Sequence, residues 1–471
     1  MKKTKIIATI GPSSKELEIL KQLIENGMDI ARLNMTYADY DFCSDIINKI
    51  NKLNKELNKN VSIMIDTQGP DISVGKFIGG KAILNKDDKI RIYMQDIIGD
   101  STKFSVSYKD LLKDIKTNTT LKINDGLIEL YVLEKDIDNL LCEVKIGGEI
   151  FDNNGLNIIG YRTKAPFLSQ KDKEDIKFAH KMNADFLALS FVRSVEDVLE
   201  VSDILIDLGN DHISIIPKIE NEQALEEIDD IIKNSDGVMI ARGDLGVELP
   251  FERIPGIQKS IINKCHFMGK VSIVATEMMS SMENKLRPTR AEVSDVAVAV
   301  TDGIDVVMLS GETTIGQYPV ETLGMMSKII EASENDINYY EFLDRTMRTE
   351  KQDITGSVAY SSVECANRLK CGAIVTPTMS GYTARKISRF RPTCPIIAMS
   401  PNIETVKSLT LYYGVYPVLI DETKNFDKIL ELAVLKSKQI LDCTESQKII
   451  ITGGYPFKEV KHTNFMKIEE I

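Results

Sequence analysis

Residues 213–246 read ISIIPKIENEQALEEIDDIIKNSDGVMIARGDLG. Two short apolar runs, Ile213–Ile216 and Gly237–Ile240, each break off into polar residues: Lys218-Ile-Glu220 after the first, Arg242-Gly-Asp244-Leu-Gly246 after the second. Side chains alternate along a strand, so Lys218 and Glu220 point to the same side. Asp244 closes the neighbouring run, which brings an ammonium and two carboxylates to one rim. Two carboxylates suit a hard divalent cation such as Mg²⁺, and a fixed lysine beside them suits an anionic, phosphorylated substrate. A surface salt bridge is the plainer reading of any Lys-x-Glu. Position argues for the sharper one, because six more apolar runs end in the same way.

Lys5–Ile10 ends in Gly11-Pro12, Asp29–Leu33 in Asn34-Met35-Thr36, and Val61–Ile65 in Asp66-Thr67. Asp185–Leu189 ends in Ser190-Phe191-Val192-Arg193, Val271–Ala275 in Thr276-Glu277, and Asp305–Leu309 in Ser310-Gly311-Glu312-Thr313. Helix-like stretches such as Lys15–Asn26, Lys171–Met182, Ser194–Leu208 and Pro319–Ser333 separate most of them. Alternation of this kind implies parallel βαβ units, and eight of them predict an α/β fold built on a closed (β/α)₈ TIM barrel rather than an open doubly wound sheet. Chemistry in such barrels sits at the carboxyl ends of the strands, where these polar residues fall.

Between Asp71 and Lys164 the alternation stops. Alternating segments Lys89–Tyr93, Lys103–Tyr108, Thr119–Ile123 and Leu127–Val132, with Asn-Asp-Gly at 124–126 and Gly-Gly at 147–148, predict a small inserted β-barrel domain built of hairpins. It follows the third barrel strand directly and is placed to close over the mouth as a lid. After Phe342 a further α/β unit is expected, with apolar runs Ala373–Val375, Pro395–Met399, Val415–Ile420 and Lys448–Thr452. Its helices are expected at Ser357–Leu369, Thr383–Arg389, Ile403–Leu411 and Asn425–Leu441. The expected domains are thus 1–70 with 165–342, then 71–164, then 343–471.

With 471 residues the chain can bury two or three cores. A net charge of −12 argues against a broad nucleic-acid-binding surface. Seven cysteines lack metal-type spacing and read as reduced thiols of a cytoplasmic protein. The start MKKTKIIATIGPSS has too short an apolar run for a signal peptide, and no stretch is apolar enough to cross a bilayer. None of the four histidines lies in a motif, and no phosphate-loop or dinucleotide-binding glycine pattern occurs in the right strand–helix context.

Thr9-Ile-Gly-Pro12, Arg32-Leu-Asn34, Asp66-Thr67 with Gly69-Pro70, Lys218-Ile-Glu220-Asn221, Ala241-Arg-Gly-Asp-Leu-Gly246, Arg287-Pro-Thr-Arg-Ala-Glu292 and Met308-Leu-Ser-Gly-Glu-Thr313 together resemble the pyruvate kinase family, as do Thr452-Gly-Gly454 and Thr463-Asn464. The resemblance runs in order over essentially the whole chain. It implies phosphoryl transfer from phosphoenolpyruvate to ADP, giving pyruvate and ATP in glycolysis. It also implies dependence on Mg²⁺ or Mn²⁺ and on K⁺, a cytosolic homotetramer, and an allosteric sugar-phosphate or nucleotide effector site in the C-terminal domain.

Carried over position by position, the resemblance gives Glu220 and Asp244 the divalent cation, and Arg32 and Lys218 the phosphate. Backbone N–H groups of Gly243 and Asp244 are assigned the substrate carboxylate, and Thr276 a place near the proton path, through a water because a threonine hydroxyl is a poor acid. Asn34, Thr36, Asp66 and Thr67 are the candidate K⁺ ligands, with Asp71 as the negative charge that accompanies K⁺ dependence. Thr378, Ser380, Gly381 and Thr383, helped by Lys458 or Lys461, are the candidate effector loop; a plain helix cap by Ser380 or Thr383 is the alternative there. Each strand-end oxygen, Thr36 and Thr313 above all, equally suits an ordinary backbone hydrogen bond.

Several positions depart from the family pattern. Asn34-Met-Thr-Tyr-Ala38 stands for Asn-Phe-Ser-His-Gly, and Asp66-Thr-Gln-Gly-Pro-Asp-Ile-Ser73 for Asp-Thr-Lys-Gly-Pro-Glu-Ile-Arg. Asn153-Asn154-Gly155 replaces Lys-Lys-Gly, Glu277 replaces Gln and Val298 replaces Asn. Lost cations and a gained carboxylate oppose binding of a polyanion, each at a few kcal/mol. Two functions therefore stand side by side: a working pyruvate kinase, with Lys76, Lys81 or Arg162 as replacement cations, or a catalytically impaired paralogue with a regulatory or structural role. A phosphoenolpyruvate-using aldolase or mutase is disfavoured by the match in the lid and C-terminal regions.

Overall fold

A computed structural model describes residues 1–70, 72–160, 166–210, 212–349, 353–423, 425–441, 446–456 and 463–471. Eight parallel strands close into a barrel: β1 (Lys5–Thr9), β2 (Ile30–Asn34), β3 (Ser62–Asp66), β4 (Phe186–Leu189), β5 (Ser214–Ile219), β6 (Gly237–Ala241), β7 (Val271–Ala275) and β8 (Val306–Leu309). Closure is direct, since Lys5–Ala8 pairs with Val306–Leu309 on one side and Ile7–Thr9 with Ile30–Arg32 on the other. Each expected run forms a strand, and β1, β3, β6 and β7 are buried along their whole length. Their near-continuous apolar character follows from being covered on both faces. Ile7, Ile30, Met64, Phe186, Ile216, Met239, Ile273 and Met308 fill the barrel, while Ile6, Ala31, Leu33, Ile63, Ile65, Leu187 and Val274 face the outer helices.

The insertion follows β3. Its strands form a six-stranded sheet, in the order Leu156–Ile158, Thr120–Ile123, Ile128–Lys135, Asn139–Ile146, Lys89–Tyr93, Lys103–Ser105. A ribbon of Lys81–Leu84 and Gly148–Phe151 joins it around one apolar core. The Asn124-Asp125-Gly126 turn makes the expected hairpin, with all three residues at positive φ. Lys103–Ser105 instead pairs parallel to Lys89–Tyr93.

Beyond the helix Tyr339–Thr349, which spans the expected boundary at Phe342, lies a five-stranded sheet. Val415–Leu419, Ile396–Ser400, Ala373–Pro377 and Lys448–Gly453 run parallel, and Phe465–Glu470 is added antiparallel. This unit is fastened across the floor of the barrel. Lys5 Nζ donates to Val415 O at 2.6 Å, Ser62 Oγ to Lys407 O at 3.0 Å, and Arg391 Nη2 to Gly303 O at 2.7 Å. Leu411 packs into the barrel's own interior core from below. The six described cysteines are unpaired; Cys443 lies outside the described residues. No helix of the described residues is long and apolar enough to cross a membrane.

Candidate active site

A cleft of about 710 Å³ lies between the carboxyl ends of the barrel strands and the inserted domain. Arg32, Asn34, Thr36, Lys218, Glu220, Asp244 and Thr276 all line it, so residues read from four separate strand ends converge. Asp66 and Thr67 do not. They are buried beneath it, at 0% and 1% exposure, with Asp66 beside Asn34 in the β2–β3 register.

Asp66 organises the floor. Its Oδ2 accepts from Arg32 Nε at 2.5 Å, and its Oδ1 from Ser190 Oγ at 3.1 Å with Lys218 Nζ 3.6 Å away. Burial alone would raise its pKa, but the Arg32 and Lys218 charges outweigh it and hold the carboxyl below its ordinary range. Arg32 Nη1 also donates to Thr9 Oγ1 at 2.9 Å, so Nε and Nη1 are committed and Nη2 takes neither contact. Burial opposes the Lys218 charge too, yet Asp66 and Glu220 raise its pKa above the ordinary lysine value. It remains an ammonium throughout the neutral range.

Glu220 is 1% exposed. Its Oε2 accepts the Phe191 N–H at 2.5 Å. Lys218 Nζ lies 2.9 Å from Oε1 but off the hydrogen-bonding direction, so Oε1 accepts no hydrogen bond. Burial pushes the pKa of Glu220 up to about 7; Lys218 lowers it and the Asp244 charge raises it. A buried carboxylate whose only partner at Oε1 is an ion pair, with the charge of a second carboxylate acting on it, is a donor set suited to a small divalent cation, which removes the repulsion and replaces the proton. Among the described residues no group of three or more His, Cys, Asp or Glu converges, so the protein would contribute two carboxylates and leave the remaining positions to substrate and water.

Thr276 and Glu277 leave β7 in left-handed conformations, with φ of 67° and 55°. Thr276 Oγ1 donates to Ala275 O at 2.6 Å and accepts the Gly243 N–H at 2.8 Å. That N–H, assigned from the sequence to a substrate carboxylate, is thus engaged by the threonine in this structure. Asn34 Oδ1 accepts the Thr36 N–H at 3.1 Å, and the Thr67 carbonyl accepts from Ser190 Oγ at 2.7 Å. Asp71 and Arg162 lie outside the described residues.

The lid side of the cleft carries Ser73, Asn124, Asp125, Asn153, Asn154 and Asn157, with Gln68 and Tyr37 on the barrel side. Among the described residues, Arg32 and Lys218 are the only cations that line the cleft. Lys76 and Lys81 are absent from the lining, and Lys81 pairs instead with Glu149 at 2.8 Å.

Some residues at this site carried no role in the sequence reading. Ser190 bridges Lys218, Asp66 and Thr67, and Arg242 braces the Thr276 turn. Ser310 lines the cleft with its hydroxyl buried and without a hydrogen bond. Their one signal was position, each falling just past the end of an apolar run.

In the C-terminal loop, Thr378 Oγ1 accepts the Gly381 N–H at 2.9 Å, and Gly381, at φ 76°, precedes the helix Tyr382–Arg389 without a side-chain cap. A cap by Ser380 or Thr383 is therefore not what forms. Thr383 is buried, its hydroxyl 2.9 Å from that of Thr463, and Lys458 and Lys461 lie outside the described residues.

Residues 1–323 match the model for the barrel domain of pyruvate kinase, and residues 356–469 that for its alpha/beta domain. A pyruvate kinase of Sporosarcina psychrophila is 41% identical over 473 residues, covering 100% of this chain and 81% of the relative. Those of Clostridium acetobutylicum and Clostridium perfringens are 39% and 40% identical, with 100% of both chains covered in each case. With both domain models matched in order and full-length relatives near 40% identity, this chain belongs to the pyruvate kinase family.

Proposed function

We propose that the protein transfers the phosphoryl group of phosphoenolpyruvate to ADP, giving pyruvate and ATP. The observation that carries this reading is the convergence of Arg32, Lys218, Glu220, Asp244 and Thr276 on one barrel mouth. Glu220 and Asp244 would hold Mg²⁺ or Mn²⁺. A divalent cation there supplies Lewis-acid stabilisation of charge on the phosphoryl and carboxylate oxygens. Lys218, kept protonated by its carboxylate neighbours, stabilises charge on the transferring group, and Arg32 offers Nη2 to a phosphate oxygen. Thr276, fixed between Ala275 O and Gly243 N–H, orients a water that delivers the proton to the enolpyruvate carbon. Asn34 and Thr36, backed by Asp66 and Thr67, are the proposed K⁺ ligands. A cytoplasmic homotetramer with a weak sugar-phosphate or nucleotide site at Thr378, Ser380, Gly381 and Thr383 completes the reading.

One observation favours a second reading, a paralogue that binds phosphoenolpyruvate without efficient turnover. Among the described residues the inserted-domain side of the cleft carries amides, a hydroxyl and the Asp125 carboxylate but no cation, and Arg32 and Lys218 are already ion-paired. A coupled assay with phosphoenolpyruvate, ADP, Mg²⁺ and K⁺, run beside calorimetry of each substrate, separates the two. Turnover well above background sinks the second reading; phosphoenolpyruvate binding with no ADP binding and no turnover sinks the first. Equal rates in K⁺ and in a bulky organic cation at matched ionic strength would remove the K⁺ assignment.

A further inference from the structure

We propose that Phe191 is the positioning residue for Glu220. Phe191 follows β4 and its backbone is left-handed, at φ 58°. A bulky aromatic residue takes that conformation only where its surroundings impose it. They do so from three sides. Ser190, on one flank, is fixed by its hydroxyl to Asp66 Oδ1 at 3.1 Å and to Thr67 O at 2.7 Å. On the other flank, the carbonyl of Val192 accepts from Asn221 Nδ2 at 2.9 Å. The ring itself lies against Gly69, so closely that a Cβ added to that glycine would stand 3.1 Å from Phe191 Cδ2.

The conformation has one chemical product: the Phe191 N–H donates to Glu220 Oε2 at 2.5 Å. With Oε2 held, Oε1 is left without a hydrogen bond on the side where Lys218 stands. The ring is also a wall. Phe191 and Asn157 line both the catalytic cleft and a second cleft of about 140 Å³ between lid and barrel, where Glu222, Gln223, Glu226 and Glu248 gather. Phe191 therefore stands between that acidic cleft and the catalytic one. Giving Glu220 a cation rests on the functional reading above; its coupling to Phe191 does not.

The test uses the left-handed geometry itself. In Phe191→Ala the packing on Gly69, one of the three restraints, is lost while positive φ stays unfavourable for alanine, so the N–H turns away from Glu220. In Phe191→Gly the ring is equally absent, but positive φ carries no steric penalty and the N–H stays. Titration of the substrate-free protein with Mn²⁺, followed by electron paramagnetic resonance, should give about tenfold weaker binding in Phe191→Ala and binding within about threefold of wild type in Phe191→Gly. Equal weakening in both variants, or none in either, overturns the proposal. A metal-free double-mutant cycle tests the contact separately: Phe191→Ala should lower the urea midpoint by less than half as much in a Glu220→Ala background as in wild type. Additivity there overturns the proposal. Should wild type bind no Mn²⁺ while the cycle is non-additive, the cation reading fails and the Phe191–Glu220 coupling stands.

Discussion

Arg242 Nη2 donates to the carbonyl oxygen of Thr276 at 2.9 Å and to that of Glu277 at 3.1 Å. Nη1 of the same guanidinium is anchored on Asp295 at 2.7 Å. Two consecutive non-glycine residues at positive φ store roughly 1–3 kcal/mol each, and this clamp holds them where the Thr276 hydroxyl meets Gly243. Arg242→Gln should therefore lower kcat by roughly 10²-fold, the scale of a misplacement near 1 Å. The affinity for phosphoenolpyruvate should change less. Steady-state kinetics decide it; a kcat within twofold of wild type would show that the turn holds without its clamp.

Divalent-cation binding should fall with acidity. Burial raises the pKa of Glu220 to about 7 in the metal-free protein, so below that pH a proton occupies the carboxylate that the cation needs. The Mn²⁺ dissociation constant should rise by nearly tenfold for each pH unit lost between pH 7 and pH 5. It should flatten above pH 8. A constant free of pH dependence over that range would remove Glu220 from the ligand set.

Leu411 belongs to the C-terminal unit but is 2% exposed within the barrel's interior core. The other end of that core, at Met239, Ala275 and Met308, lines the cleft at the barrel mouth. Leu411→Ala should open a cavity in the barrel floor and destabilise the protein by about 3 kcal/mol, within the range for buried leucine truncations. Urea unfolding read by barrel-specific probes checks this. A loss below about 1 kcal/mol would mean that the floor collapses around the smaller side chain.

Legibility in the sequence tracks locality. The eight barrel strands are short, apolar on both faces and end in polar residues, and all eight runs are found. Lys218 and Glu220 are readable as neighbours because strand alternation alone places them together. Asn139–Ile146 is missed: Glu143 and Lys145 alternate with buried Cys142 and Val144, but Leu141 breaks the pattern and register shifts interrupt the pairing with Ile128–Lys135. Ser190 and Phe191 gain their roles only when β4 is set between β3 and β5, which no single segment reveals. Leu411 reads locally as part of its own domain's helix, and only docking turns it toward the barrel. The hydrogen bond from the Gly381 N–H to Thr378 is hidden for the opposite reason, since several hydroxyls within six residues compete for one N–H.

The C-terminal loop yields a prediction that separates ligand contact from packing. Thr383 is committed to Thr463, so Thr383→Ala strands a buried hydroxyl and should cost about 1–2 kcal/mol of stability. Ser380→Ala should leave stability within about 0.5 kcal/mol and abolish any activation by phosphorylated sugars or nucleotides, with basal turnover unchanged. Thermal scans with fructose 1,6-bisphosphate, ribose 5-phosphate and AMP provide the readout. If none of the three shifts the wild-type midpoint, the loop serves only to start its helix.

Glu248 gives a pH-dependent stability whose sign is fixed by its surroundings. It ends the helix Arg242–Glu248 and lines the second cleft beside Leu156, Ile158 and Phe191. Burial pushes its pKa up to about 7; the Glu222 N–H, 3.2 Å from Oε2, lowers it, the Glu222 carboxylate raises it and Lys122 lowers it. In the unfolded chain the same group titrates near its ordinary value of 4.5. Between those two values the folded protein holds a proton that the unfolded chain has released, so stability falls as pH rises through the window and the loss is complete above pH 7. Glu248→Gln carries no charge at any pH and keeps an oxygen for the Glu222 N–H. At pH 8 it should exceed wild type by about 1–2 kcal/mol, after discounting for the group's partial exposure. Near pH 4.5 the difference should shrink to a few tenths. Urea midpoints at the two pH values measure it, and an advantage of equal size at both would show that packing, not the buried charge, sets the energetics of this cleft.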